Sequence, residues 1–299
     1  MFDICLLGTG GMMPLPKRFL TSALIRYNGN MLMIDCGEAT QITLKMLGWG
    51  FKNINTICFT HVHADHISGL PGMLLTLSNS GRTEPLNIIG PKGIERVVNN
   101  LRVIAPDLTF ELKFYELESP GVNFPLKIDD YIIDVCEVKH GVSCLAYSID
   151  IERLGKFNVI EAERLNIPKK YWKSLQNGEE IDGYKPSQVM GEKRKGFKFC
   201  YCTDTRPTEK LPNFVRNADL FICEGMYGDE SEKSKAIERK HMMFQEAAQI
   251  AKEGEVKELW LTHFSPSLTN PGDYIEDVKK IFENSHVGKD RMTKTLKYE

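Results

Sequence analysis

No segment of this sequence approaches the ~20 consecutive apolar residues that a membrane-spanning helix requires, so the chain is not expected to cross a bilayer. It runs straight into Phe2-Asp3-Ile4-Cys5-Leu6-Leu7, without the basic stretch, apolar core and cleavage site of an export signal. None of the eight cysteines (Cys5, Cys36, Cys58, Cys136, Cys144, Cys200, Cys202 and Cys223) forms a C-x-x-C pair, and most lie in apolar strand-like runs. A chain of 299 residues needs no disulfide staples, so the expected setting is a reducing cytoplasm. Strong charge of one sign is also missing: the formal net charge is -2, with a pI near 6.4, which excludes a generic polyanion binder. Contact with nucleic acid would need local basic patches, and the candidates are Lys17-Arg18, Lys169-Lys170 with Lys173, Lys193-Arg194-Lys195, and the run Lys289, Arg291, Lys294, Lys297. No fixed-period repeat is present, and 42% hydrophobic with 26% charged residues is globular composition, so disorder is not expected.

What is present alternates between strand and helix signals. Ile4 to Leu7, Ser22 to Tyr27 and Asn30 to Ile34 read as strands, the last two joined by a turn at Asn28-Gly29. Gly8-Thr9-Gly10-Gly11 lacks the lysine and hydroxyl of a phosphate-binding loop. Glu38 to Leu47 has helical spacing, with Ile42 and Met46 on one side and Gly48 as its stop. A strand to Phe59 precedes a helix from Ile67 to Leu77, with Pro71 in its first turn. Leu86 to Ile89 and Ile94 to Val103 repeat the strand-loop-helix pattern, and strands follow at Leu112 to Leu117, Phe124 to Ile128, Tyr131 to Val138 and Cys144 to Ile149. Residues from about Glu152 to Lys195 break the rhythm, with only the apolar anchors Leu165, Ile167, Tyr171, Trp172 and Leu175, and read as an arm projecting from a single domain that spans 1–299. Strands at Phe197 to Tyr201, Leu220 to Cys223 and Glu258 to Leu261, with helices at Phe244 to Lys252 and Tyr274 to Phe282, complete the pattern. Both halves place polar residues at strand ends, which implies two sheets facing each other beneath one crevice.

The densest chemistry is Thr60-His61-Val62-His63-Ala64-Asp65-His66, directly after the apolar run Ile54 to Phe59. In His61-Val62-His63 the two rings alternate with an apolar residue, so on extended backbone they point the same way, as two ligands of one ion should. Asp65 and His66 lie past the turn and suit a second ion. His140, Asp204 and His263 each end a strand-like run and supply the further ligands that two ions need. The assignment is His61, His63 and His140 to the first ion, Asp65, His66 and His263 to the second, and Asp204 to both. Zinc suits this donor set, and manganese or iron fits it too. Two such ions activate water and clamp a phosphodiester, which makes hydrolysis the expected reaction. Expelling an alkoxide also needs an acid, for which His241 is the leading candidate, with Glu224 to orient it. His286 has no such context and reads as a surface residue.

The ordered set Gly8-Thr9-Gly10, Asp35-Cys36-Gly37, Thr60 to His66, His140, Thr203-Asp204-Thr205, His241 and Leu261-Thr262-His263-Phe264-Ser265 resembles the metallo-β-lactamase superfamily and, within it, the short form of the ribonuclease Z family. The resemblance implies an α+β four-layer αββα sandwich, two zinc ions, and endonucleolytic removal of the 3′ trailer from precursor tRNA. It gives Asp65 a second role as general base and pairs His241 with Glu224 for proton transfer to the leaving ribose oxygen. It also implies a homodimer whose arm grips tRNA through phosphates and 2′-hydroxyls, with Lys17, Arg18, Lys169, Lys170 and Lys173 as candidate contacts. Three positions depart from the family pattern: Lys169-Lys170 stand where a Gly-Pro turn is expected, Met242-Met243 replace hydroxyl residues after His241, and the early loop Pro14 to Ser22 matches only in part. A broader phosphodiesterase acting on cyclic nucleotides or small diesters is the alternative that the same ligands allow.

Overall fold

The computed structural model describes residues 1–117 and 125–298. The chain divides into two compact units, Met1–Ile149 with Lys198–Glu299, and Asp150–Phe197. One sheet contains β1 (Phe2–Gly8), β2 (Ser22–Tyr27), β3 (Asn30–Ile34), β4 (Ile54–Cys58), β5 (Leu86–Pro91) and β6 (Leu112–Leu117), in that spatial order, with β14 (Met292–Leu296) on the far side of β1. The other runs from β7 (Leu126–Ile128) through β8 (Tyr131–Val138), β9 (Cys144–Arg153), β10 (Arg194–Cys202), β11 (Leu220–Glu224) and β12 (Leu259–Thr262) to β13 (Ser285–Val287). Asn28 and Gly29 both take positive φ, 49° and 87°, the turn that matches the twist of the hairpin β2–β3. From β3 to β6 the pairing is parallel, and so it is from β10 to β13, which directs successive strand ends toward one edge of each sheet.

Both faces of each sheet are covered. On the outer face of the first, Leu7, Leu24, Met33, Ile57, Phe59 and Ile88 pack with residues of α1 (Thr40–Leu47), α3 (Leu70–Asn79) and α4 (Ile94–Leu101), among them Leu44, Met73, Leu74 and Val98. On the second, Cys200, Cys202, Phe221, Cys223, Leu259 and Leu261 pack against Leu211 of α7 (Leu211–Phe214), Phe244, Ala247, Ala248 and Ala251 of α9 (Phe244–Glu253), and Val278 of α10 (Ile275–Ile281). The opposite faces are buried too, with Ile4, Leu6, Ile25, Phe199, Tyr201, Ile222 and Trp260 shielded from solvent. Hydroxyls bridge the sheets there: Tyr147 donates to Phe59 O at 2.7 Å, and Tyr201 Oη lies 3.2 Å from Thr21 Oγ1. The layers therefore run α, β, β, α, the fold class the resemblance implied. The second unit has its own small core of Ala162, Ile167, Leu175 and Val189, ringed by Phe157, Leu165, Tyr171 and Trp172, and contains α5 (Val159–Arg164) and α6 (Trp172–Gln176). Asn158 caps α5 by accepting the Glu161 N–H at 3.1 Å.

Several elements differ from the sequence reading. α1 starts at Thr40 and turns Ile42 and Met46 outward, at 54% and 59% exposure, while Thr40, Thr43 and Leu44 face the core. The threonines are admitted because their hydroxyls are satisfied, Thr40 by Gly37 O at 2.8 Å and Thr43 by Leu7 O at 2.5 Å. The helix expected from Ile67 to Leu77 is two helices, α2 (Ala64–Ile67) and α3, parted near Gly69, where a Cβ would lie 2.0 Å from Gly37 O. The strand start expected at Phe124 lies outside the described residues. α8 (Lys233–Arg239), β13 and β14 carried no clear signal, because α8 is short and rich in charge and the two strands are short and mostly polar. Lys294 of the basic terminal run pairs with Glu258. Among the described residues, no helix is long and apolar enough to cross a membrane.

All eight cysteines are free and buried, and burial pushes the Cys5 and Cys36 thiols up to about 12 and Cys136 to about 11. No thiol should react with an aromatic disulfide reagent at pH 8 in the native protein, and all should react after denaturation. Because the Cys5, Cys36 and Cys136 thiols resist ionisation in the folded protein, their contribution to stability is complete below the ordinary thiol pKa of ~8.5 and is lost as pH rises above it. The register of α1 gives a second test: Leu44→Ala should cost about 2–5 kcal/mol in urea unfolding, and Ile42→Ala within about 0.5 kcal/mol.

Candidate metal centre

Strand ends bring the polar residues together. After β3, Asp35 takes φ 60° and turns its carboxylate toward the segment following β4, where it accepts the Thr60 N–H at 2.8 Å and the Thr60 hydroxyl at 2.9 Å. This clasp holds extended Thr60 to His63 before α2 begins. Past β8 comes His140. Asp204 and His263 follow parallel β10 and β12, both with positive φ (47° and 59°), a conformation that swings a side chain off the strand line and costs a non-glycine residue energy. Glu224 is the last residue of β11, between them.

Two sets of ligand atoms result, with a third group overlapping them. His61, His63, His140 and Asp204 form one set, Asp65, His66 and His263 the other, and Asp204 and His263 also group with His241, all atoms lying within 4.8 Å of one another in each. His61 Nε2 lies 3.0 Å from His63 Nδ1, which lies 3.3 Å from His140 Nε2. His66 Nε2 and His263 Nε2 are 3.2 Å apart, and Asp65 Oδ2 is 3.5 and 3.6 Å from them. Asp204 faces both sets: Oδ2 lies 3.8 and 3.7 Å from His61 and His140, and Oδ1 lies 3.2 Å from both His66 and His263.

Three of the outer ring nitrogens are already engaged. His66 Nδ1 meets Asp35 Oδ2 at 2.8 Å, His140 Nδ1 meets Lys240 O at 3.3 Å, and His61 Nδ1 meets Thr60 Oγ1 at 3.0 Å. With protons held there, the inner nitrogens turn lone pairs toward one another. Asp204 Oδ1 is buried with no hydrogen-bond partner. Convergent lone pairs need a cation between them, and a tetrahedral metal with ~2.1 Å bonds separates its ligands by roughly 3.4 Å, close to the spacings here. The residues therefore fit metal ions, with mixed nitrogen and oxygen donors.

Electrostatics favour the same occupant. Burial opposes ionisation of Asp204, but His263, His66 and His61 hold it far below the usual carboxylate range, and contacts with His263 and His66 do the same for Asp65 against burial. Burial lowers the His61 pKa. His263 rises to about 10, because Asp204, Asp65 and Glu224 outweigh burial. The carboxylates are thus anions at neutral pH, and a buried anionic cluster is stabilised by positive charge.

His241 stands at the rim of this cluster, its Nδ1 2.9 Å from Glu224 Oε2 and 3.9 Å from Asp204 Oδ2. Burial depresses its pKa, but Glu224 outweighs burial and raises it. The other oxygen of Glu224 accepts the Thr205 N–H. Met242 and Met243 are buried, and helix α9 starts without a hydroxyl cap because Glu246 Oε2 accepts the Met243 N–H at 2.9 Å.

Sequence reasoning gave no role to Asp35, although its position at a strand end was a signal. It also gave the glycine-rich loop no role at the centre once the phosphate-loop motif failed. That loop forms a wall of the centre: a Cβ on Gly11 would lie 2.8 Å from the His263 ring, and the Met12 N–H donates to Asp65 Oδ2 at 2.7 Å. Of the candidate substrate contacts, Lys17 is exposed, whereas Arg18 is committed internally, donating to Ser265 O at 3.2 Å and Thr269 O at 3.3 Å. Lys169, Lys170 and Lys173 are exposed in the second unit, with Lys170 Nζ 4.6 Å from the Tyr171 ring. His286 lies on β13 beside Asn284 and outside both ligand sets.

A family model described as the anti-Pycsar protein Apyc1 matches residues 2–154, and one described as a beta-lactamase superfamily domain matches residues 179–264. A ribonuclease Z of Clostridium acetobutylicum is 52% identical over 307 residues, covering 100% of this chain and 99% of that protein. One of Lachnospira eligens is 54% identical over 303 residues with the same coverage. Among solved structures, the short form of human tRNase Z has a TM-score of 0.69 at 22% identity, covering 99% of this chain and 100% of that one. The metallo-beta-lactamase fold protein YhfI from Bacillus subtilis has a TM-score of 0.70 at 20% identity, covering 98% of each. These two structures share the fold.

Asp35 touches Thr60 and His66 but neither set of convergent atoms, so it should act on metal affinity through orientation. Asp35→Asn should weaken metal binding roughly 10- to 100-fold in a competitive chelator titration. Unchanged affinity would mean that the Thr60 to His66 loop holds its shape alone.

Proposed function

This chain belongs to the ribonuclease Z family, and we propose that it is a zinc-dependent endoribonuclease that removes the 3′ trailer from precursor tRNA, leaving a 3′-hydroxyl on the tRNA. One observation carries the reading: Asp204 turns one oxygen to each of two ligand sets, the arrangement that a pair of cations sharing a carboxylate requires. His61, His63 and His140 are assigned to one zinc, Asp65, His66 and His263 to the other, and Asp204 to both. When bound, the pair lowers the pKa of water and offsets the negative charge of the phosphodiester.

The chain's own residues supply proton management. Asp65, ionised and fixed by the Met12 N–H, is placed to take a proton from the attacking water. Glu224 holds His241 at Nδ1, which leaves Nε2 to hand a proton to the departing ribose oxygen. Water adds its oxygen to phosphorus, the bond from phosphorus to O3′ breaks, and the products are a tRNA 3′-hydroxyl and a trailer 5′-phosphate. The buried position of Glu224 makes it an orienting partner and leaves the exchange of protons to the ring.

Substrate selection is assigned to the second unit, where Lys169, Lys170 and Lys173 are exposed, in a homodimer working in the cytoplasm. Shape and phosphate recognition of folded RNA need cations of this kind outside the catalytic centre. A broader phosphodiesterase would use the same ligands and acid, so the choice falls to substrate comparison.

A time course on a defined precursor tRNA with mapped ends, beside a small chromogenic or cyclic diester, tests the reading. It should give one cut at the trailer junction, far faster than turnover of the small diester. His61→Ala or Asp204→Ala should abolish both activities and reduce bound zinc. Replacing Lys169 and Lys170 together by Ala should slow tRNA cleavage roughly 10-fold and spare the small diester. Equal loss on both substrates would remove the lysines from substrate selection.

A further inference from the structure

We propose that Arg206 is a positioning residue for leaving-group protonation, holding the backbone that carries His241 in register with Asp204 and Glu224. The inference rests on the reading of His241 as the acid. A ring held at one nitrogen is only as fixed as its own backbone, and the local chain ties that backbone through the His241 N–H, which donates to Ala236 O at 2.8 Å, leaving its carbonyl to be held from elsewhere. Lys240 before it is in the left-handed region with φ 60°, and Met242 and Met243 after it have no side-chain polar group.

Arg206 supplies what is missing. Its Nη1 donates to His241 O at 2.6 Å and to Glu246 Oε2 at 2.8 Å, while Nη2 donates to Glu246 Oε1. Glu246 in turn accepts the Met243 N–H, so one ion pair holds the acid's carbonyl and starts helix α9. The backbone of Arg206 is tied on the other side, its N–H donating to Lys139 O at 3.1 Å, next to His140. Two residues earlier is Asp204, and the intervening Thr205 N–H binds Glu224. A single planar fork therefore links the shared carboxylate, the end of β8 and the acid's main chain. The pair is largely shielded, at 15% and 22% side-chain exposure, so its geometry is stiffer than that of a surface pair. Lysine, with one rotatable ammonium, cannot reproduce the fork.

A loosened acid fails selectively. The ribose oxygen needs a proton to leave, whereas p-nitrophenolate leaves without one, so losing the register of His241 should slow only the first. The experiment compares Arg206→Gln, Arg206→Lys, His241→Ala and two double variants, Arg206→Gln with Glu246→Gln and Arg206→Gln with His241→Ala, each loaded with zinc. Each is assayed on precursor tRNA and on bis(p-nitrophenyl) phosphate, with zinc content and Tm measured. Arg206→Gln should lower kcat on precursor tRNA roughly 10- to 100-fold with KM little changed, hold aryl ester turnover within about threefold, and keep its zinc. Arg206→Lys should recover part of the loss, and Arg206→Gln added to His241→Ala should cost nothing further. The double amide variant removes both charges together, so it remains measurable if the single variant leaves Glu246 unpaired and unfolds. Equal loss on both substrates, or loss of zinc, would overturn the proposal, because Arg206 would then support the centre as a whole. If His241→Ala itself slowed both substrates equally, the acid assignment would fall first and this inference with it, a result distinct from selective behaviour in His241→Ala and not in Arg206→Gln.

Discussion

Crowding of like electron pairs governs this molecule. Imidazole nitrogens 3.0–3.3 Å apart, with carboxylate oxygens among them and most of the group buried, would repel one another and forgo solvation unless positive charge lay between them. The surroundings are built to keep that crowding in place. Asp35 restrains the histidine loop and one ring together, Lys240 exchanges hydrogen bonds with His140 in both directions, and Glu224 joins the Asp204 loop to His241. Each outer contact also fixes which ring nitrogen faces inward, so the same hydrogen bonds choose the tautomer and hold the loop.

The sheets explain how residues from 61 to 263 reach one place. Parallel pairing through β3 to β6 and β10 to β13 sends the strands' carboxyl ends in a common direction within each sheet, and short helices return the chain along the outer faces. Asp35, Asp204 and His263 then take left-handed backbone where they leave the strands. At these three strand ends the strain falls on residues whose side chains must turn aside at once, the pattern expected where function sets local geometry.

How much of this was legible depended on whether a role belonged to a side chain type or to a backbone. The H-x-H-x-D-H run is readable as a cluster because its spacing alone gathers four metal-capable side chains, and His140, Asp204 and His263 join it because each follows an apolar strand. The layered fold followed from the resemblance and from strand ends rich in polar residues. Gly11 and Met12 were opaque, because one acts by having no Cβ beside His263 and the other through an amide. Arg206 was hidden for a related reason: it binds a carbonyl, and no residue type marks a carbonyl in need of support. Ile42 and Met46 misled because periodicity locates an apolar face without revealing that Thr40 and Thr43 have buried oxygens to bind.

The pairing of β1 with β14 has a consequence for biosynthesis. During translation β1 emerges long before β14, and one of its two lateral rows of amides and carbonyls has no mate until Met292–Leu296 leaves the ribosome. For that interval the nascent chain carries an open, strongly apolar ribbon border, the kind of template on which neighbouring copies stick. Lys294, from the basic run that read as an RNA patch, closes this seam: it aligns with Ile4 and anchors to Glu258, so a chain without Met292–Leu296 would leave that border open.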